Sequence, residues 1–313
     1  MSFQLKTDEP AHEGLTRNVR HQLEKALRHL HASVDAQQHG AAQTATIGEV
    51  RKCFKRIRAV LRLVREQLGE DRYREENYCF RDAARPLTQV RDAGILVETV
   101  DELREHLPKA VATATFSKIR HALVVNQNEV SRRILEQDQA FAKVRDIATQ
   151  ALARLADWSL QPAGWAALQA GIRRTYRTAH RALALAAESP SVAHLHEWRK
   201  QTKYLWHQLQ LVEPALVGAE GELVNQTHAL STLLGEDHDL AVLRETLAAD
   251  PLSYGGHRHL KSFFVLIDSR RADLQRRAFT LGREIYKDSP TVFTRRVAAA
   301  LCHEDANETC HPI

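Results

Sequence analysis

Seven cations fall within residues 49–65: Arg51, Lys52, Lys55, Arg56, Arg58, Arg62 and Arg65, with Glu49 the single acid among them. Arg51, Lys55, Arg58, Arg62 and Arg65 step by three or four residues, so on a helix they share one face. Like charges at that spacing weaken an isolated helix by a few tenths of a kcal/mol per pair. A chain that keeps four such steps is expected to meet acidic neighbours on another helix or to hold an anion. A second segment offers a similar face: His196, Arg199, Lys203 and His207, with Lys200 beside them. Two further basic stretches hold Arg17, Arg20, His21 and Arg28, and Arg174, Arg177 and Arg181. Arginine supplies planar paired donors to phosphate oxygens and lysine a mobile point charge, so the mixture suits phosphate chemistry.

The elements that carry these faces read as helices. Val50, Phe54, Ile57, Leu61, Val64 and Leu68 form one apolar stripe, and similar stripes cover 15–34, 80–107, 116–156, 164–187, 197–217, 222–248, 258–286 and 291–302. No run alternates convincingly with period two. The 13 glycines and 9 prolines among 313 residues fall below the usual share of about one in eight. They sit between stripes, at Gly40, Gly69, Pro108, Pro162, Pro190, Gly218, Pro251 to Gly256, and Pro290. The expected class is all-α.

The basic faces repeat. Glu49, Arg51, Lys52 and Lys55 recur 148 positions later as Glu197, Arg199, Lys200 and Lys203. At an offset of 157, Gly14, Arg17 and Arg20 meet Gly171, Arg174 and Arg177; at 147, Leu87, Asp92 and Leu96 meet Leu234, Asp239 and Leu243. Three segments in the same order point to an internal duplication. Two four-helix-bundle halves are expected, 1–160 and 161–313, joined near 158–164 and related by a pseudo-twofold axis that brings the basic faces to a central pore.

Composition excludes several classes. The net charge of +5, from 44 Lys and Arg against 39 Asp and Glu, names no partner by itself. No segment holds the roughly 20 apolar residues that span a bilayer, and the opening residues have no apolar signal core, so a cytoplasmic protein without membrane contact is expected. The four cysteines include no C-x-x-C pair and make no disulfide framework in a chain this long. Phe, Trp and Tyr make up only 6% of the chain, few for the stacking platforms of single-strand nucleic-acid binders. A polyanion rich in phosphate and lacking bases fits the faces better than RNA or DNA.

The paired E-x-R-K-x-x-K segments at 49–55 and 197–203 resemble the signature of the CHAD family, the conserved-histidine α-helical domain. So do His-Glu-Trp-Arg-Lys at 196–200, Arg-Asp-Ala-Ala-Arg-Pro-Leu at 81–87, Leu-Gly-Glu-Asp-His-Asp-Leu at 234–240, Gly-Ile-Arg-Arg-Thr-Tyr-Arg at 171–177 and Leu-Gly-Arg-Glu-Ile-Tyr at 281–286. The resemblance runs from about Gly14 to about Leu301. It implies two four-helix bundles around a basic pore that binds inorganic polyphosphate, with association to polyphosphate granules and no established catalysis. The pore-lining bases of the family correspond to Arg51, Lys52, Lys55, Arg199, Lys200 and Lys203, and those of the leading helices to Arg17, Arg20, Arg174 and Arg177. Arg81 and Arg85 join the candidate set, with Arg91 and His238 as secondary positions, and the neighbouring Asp92 and Asp239 are expected to pair with the bases. Where the second half has His196, the first half has Gly48, so the two faces are unequal.

Rival chemistries find less support. Glu220-x-Glu222 lacks the lysine of a triphosphate-tunnel motif and lies in a helical stripe. His238-Asp239 could begin a metal-dependent phosphohydrolase site, but His207, His228 and Asp268 supply no recognised ligand spacing. The pairs Cys302-His303 and Cys310-His311 match no zinc motif. The sequence therefore reads as a polyphosphate-binding protein without catalysis, cofactor or metal, and phosphate-backbone binding to nucleic acid is the alternative.

Overall fold

A computed structural model describes residues 3–6, 8–35, 41–106, 113–158, 160, 168–216 and 219–305, and every regular element among them is helical. Eleven α-helices follow in order: α1 Ala11–Asp35, α2 Ala41–Leu63, α3 Arg65–Leu68, α4 Glu70–His106, α5 Thr113–Ser131, α6 Ala140–Arg154, α7 Gln169–Glu188, α8 Val192–Val212, α9 Ala219–Ala249, α10 His257–Ile285 and α11 Pro290–Asp305.

The apolar stripes become the core. Val50, Phe54, Ile57 and Leu61 on α2, and Val64 just after it, are all at most 1% exposed. Some ends have a local cause. Ser191 caps α8 by accepting the His194 N–H at 3.1 Å, and Pro290 opens α11, where a missing N–H costs nothing. Gly255 and Gly256, at φ 109° and 90°, turn the chain between α9 and α10. Gly40, Pro108, Pro162 and Gly218 lie outside the described residues.

One stripe divides differently from the sequence reading. Instead of one element over 116–156, α5 ends in a π-helical turn at Arg132–Gln137, and Gln139 takes a left-handed φ of 51° before α6 begins. The extra residue per turn rotates the apolar face, and the two segments meet different neighbours: α5 packs on α4, and α6 packs on α1 as well as α4.

Within residues 11–154 the most extensively packed pairs are α1 with α2, α2 with α4, α4 with α5, and α6 with α1; within 169–305 they are α7 with α8, α8 with α9, α9 with α10, and α11 with α7. The two sets run in the same order. Across them α2 packs on α7 and α8, and α4 on α9, while the buried side chains of both sets form one continuous apolar cluster. The approach is close at the end of α2, where a side chain on Gly171 would stand 2.2 Å from the Leu63 carbonyl oxygen. Arg174 fastens the same junction, donating to Glu66 Oε1 at 2.7 Å and to the Arg62 carbonyl at 2.9 Å. The expected join near 158–164 falls largely on residues 159 and 161–167, outside the described residues.

Candidate functional site

Helices α2, α4, α8 and α9 surround a cavity of about 370 Å³. α2 contributes Arg51 and Lys55, α8 contributes His196, Arg199 and Lys203, α4 contributes Thr88, Arg91 and Asp92, and α9 contributes His238 and Asp239. On α2 and α8 the apolar stripe faces inward toward each helix's own bundle, so the flanking basic edge is what each presents where the helices meet. Thus Arg51 with Lys55, and Arg199 with Lys203, arrive at one space from two distant stretches of sequence.

Five cations, Arg51, Lys55, Arg91, Arg199 and Lys203, face two carboxylates there. Arg51 lies 3.7 Å from Asp92 Oδ1, and Arg91 donates to Glu98 at 2.7 Å. Among the described residues, Lys55, Arg199 and Lys203 have no acidic partner within 4 Å. Arg51 Nε, Arg199 Nε and Nδ1 of both His196 and His238 are buried without a hydrogen-bond partner. These four polar atoms leave hydrogen-bonding capacity that an anion in the cavity could use.

The crowding displaces the titration of these groups. Burial, with Lys203, Arg51 and Arg199 adding repulsion, pushes Lys55 down to about 6. Burial beside Arg199 lowers Lys203 to about 8, and burial near Arg199 and His196 lowers His238 to about 4. His196, whose ring lies 4.4 Å from that of His238, is likewise held below its ordinary value by burial and by Arg199. Asp239 moves upward because burial outweighs the neighbouring Arg199 and Arg91. A site that disfavours its own positive charge in this way gains most from an anion.

The cavity continues into a groove of about 330 Å³, which shares Arg51, Lys55 and Thr88 and adds Arg58, Arg81 and Arg85. Asn77 Oδ1 holds Arg58 at 3.1 Å and Arg62 at 3.0 Å, and Arg62 stacks 3.8 Å over the Tyr204 ring, so Arg62 braces this wall without lining the groove. Asp82 receives both Arg81 and Arg85 at about 3.0 Å, an exposed and readily exchanged pairing.

Other candidate bases lie elsewhere. Arg17 closes on Glu9 and on the Gln4 carbonyl, tying down the N-terminal segment. Arg20, Arg28, Arg177 and Arg181 are exposed, and neither they, His21 nor Arg174 line the cavity or the groove. Lys52 lies 3.9 Å from Glu49, and Lys200 pairs with Glu197, both on the outer edge of the motif. His207 departs from the sequence reading most clearly. It is 2% exposed, stacked on Trp206 with ring centroids 4.5 Å apart and edge-on to Phe3, so it belongs to the core. Thr88, which lines both spaces, carries no charge signal in the sequence; only its helical spacing from Arg81 and Arg85 could have found it.

Among the described residues no group of three or more His, Cys, Asp or Glu is placed to hold a metal ion, and no helix is long and apolar enough to cross a membrane. Cys310 and His311 lie outside the described residues, as do the side chains of Cys302 and His303.

A protein helical throughout its described residues, with a cationic cavity among four of its helices, is the class these observations define. The family model for the CHAD domain matches residues 20–248. That is most of the chain, which therefore belongs to the CHAD domain family, a family linked to polyphosphate binding. Arg17 and the 281–286 run lie beyond the matched residues. No curated protein matches the chain.

Proposed function

We propose that the cavity and its adjoining groove bind inorganic polyphosphate without turning it over. The observation that carries this reading is the convergence of Arg51, Lys55, Arg199 and Lys203, from two repeated motifs, on one space with too few carboxylates to neutralise them. Desolvated like charges are costly until a counter-charge completes them. A linear polymer with about one charge per phosphate could do so along the whole row. The shared order of helix pairing supports an internal duplication, with the cavity as the central pore between pseudo-twofold halves.

The cavity lining includes no Phe, Trp or Tyr, its only rings being the imidazoles of His196 and His238, and Phe54 and Phe80, which floor the groove, are 1% exposed. Bases would find no Phe, Trp or Tyr face to stack on within either lining, which favours polyphosphate over single-stranded nucleic acid. Long-chain polyphosphate is therefore expected to displace a fluorescent single-stranded DNA at equal phosphate concentration. Preferential retention of the DNA would replace this reading with a nucleic-acid one, and release of orthophosphate from the bound polymer would overturn binding without turnover. If about six phosphates are neutralised, the logarithmic salt slope should be about −4, by analogy with single strands. In the cell the reading places the protein in the cytoplasm, collecting on polyphosphate granules, which a fluorescent fusion can test.

A further inference from the structure

The cavity is the middle member of a row of three spaces along α4. The groove is lined from α4 by Arg81, Arg85 and Thr88, the cavity by Asp92 and Ile95, and a third space of about 400 Å³ by Thr99, Glu102 and His106. These positions advance by three or four residues, so they follow one helix face for about 37 Å at 1.5 Å per residue. Groove and cavity share Arg51, Lys55 and Thr88, and cavity and third space share Asp239.

Charge changes sign along this row. The groove is lined by five cations and no carboxylate. The third space holds Glu102, Glu236 and Asp239 against Arg270, whose guanidinium is already engaged, bonding Glu236 at 3.1 Å and lying 3.7 Å from Asp273. Burial, together with Glu236, Glu98 and Asp239, holds the Glu102 carboxyl above its ordinary value, as expected for acids crowded on one wall.

The two ends are also unequal in sequence. At the offsets that superimpose the two motifs, 148 for α2 on α8 and 147 for α4 on α9, Arg58, Arg81 and Arg85 correspond to Trp206, His228 and Thr232. Trp206 and His228 stack on each other with ring centroids 4.3 Å apart. The arginine trio of the groove therefore has no counterpart in the other half.

We infer that polyphosphate enters this row end-on from the Arg58, Arg81 and Arg85 side and that its terminus stops in the central cavity, before the wall of Glu102, Glu236 and Asp239. The inference rests on the polyphosphate reading above. A chain advancing past Asp239 would exchange a cationic lining for Glu102 and Glu236, with Arg270 already engaged, so threading is opposed and the terminus is what the site selects. The last phosphate then lies among Arg199, His196 and His238.

The test is to count protein molecules per polymer by sedimentation, titrating the full chain against linear polyphosphates of several defined lengths. End-on binding gives at most two proteins per polymer at every length, and polymers with both termini capped by bulky amines fail to compete. A count that rises in proportion to length would overturn end-on binding while leaving the polyphosphate reading intact. Absence of binding at every length would defeat that reading, and this inference with it. The double variant Glu102→Gln, Glu236→Gln should let the count rise with length; a count still fixed at two would show that the acidic wall is not the stop.

Discussion

Arg51 is 13% exposed and stands 3.7 Å from Asp92, whose side chain is 55% exposed. The cation points inward and its counter-charge faces water. Lys55, Arg199 and Lys203 are half-buried beside it and have no acidic partner within 4 Å among the described residues, and Asp239, the other carboxylate of the cavity, is half-buried too. The apo protein therefore holds a positive charge that its own carboxylates leave incompletely neutralised, with consequences that can be measured.

Lys55→Met should separate stability from binding. It removes an amine whose protonation is opposed in the folded chain by burial and by Lys203, Arg51 and Arg199, while keeping most of the side-chain volume. The melting temperature without ligand should rise, and polyphosphate affinity should fall about 10- to 100-fold, as for loss of a hydrogen bond to a charged group. Thermal scans with and without the polymer check both directions.

Proton uptake should accompany binding. Lys55, lowered to about 6, is mostly neutral at pH 7.5 in the free protein, and Lys203, lowered to about 8, is partly so. An anion beside them favours the charged forms, so calorimetry in buffers of different ionisation enthalpy should show protons taken up, and affinity should weaken from pH 6 to pH 9. Both lysines titrate lower in the folded than in the unfolded chain, where a lysine lies near 10.4. Between about pH 6 and 10 the unfolded chain therefore binds more protons, and these groups make ligand-free stability rise with pH. Saturating polyphosphate should flatten that rise; an unchanged slope would contradict the placement of the anion beside Lys55.

Gly171 and Gly48 should respond oppositely to alanine. At Gly171 the new Cβ would meet the Leu63 backbone, which has no flexible end to move aside, so a loss of about 3 kcal/mol is expected. At Gly48 nothing lies within 4 Å, and a helix-interior Gly→Ala change should stabilise by up to about 1 kcal/mol. Urea midpoints measure both.

The histidines should divide by location. His196→Ala removes a cavity donor and should weaken polyphosphate binding about tenfold. His207→Leu alters a core position beside Phe3 and Trp206, so affinity should stay unchanged. Equal losses for both would mean that the cavity boundary is misplaced.

Much of this was legible in sequence because helical spacing converts directly into a face. The stripe from Val50 to Val64 is buried, and the basic edge beside it reaches the cavity through Arg51 and Lys55. Spacing failed where a face meets more than one environment. His207 follows His196, Arg199 and Lys203 at helical intervals, but α8 is longer than the cavity, and its C-terminal turns run beneath Phe3 and the N-terminal segment. Arg17 carries the same basic signal as Arg51, yet Glu9, eight residues earlier, takes it up. The break between α5 and α6 left no glycine or proline for the sequence to show.

The sequence by itself determined the helical class, the repeated basic motif and the family, because each depends on periodicity or on residue order along the chain. Tertiary structure alone decided which charges converge, since α2, α4, α8 and α9 are brought together by packing between segments more than a hundred residues apart. It also decided that the acids of α4 and α9 meet at one end of the row. The sum of charges is fixed by composition, but the field that an anion meets depends on where burial leaves those charges unscreened.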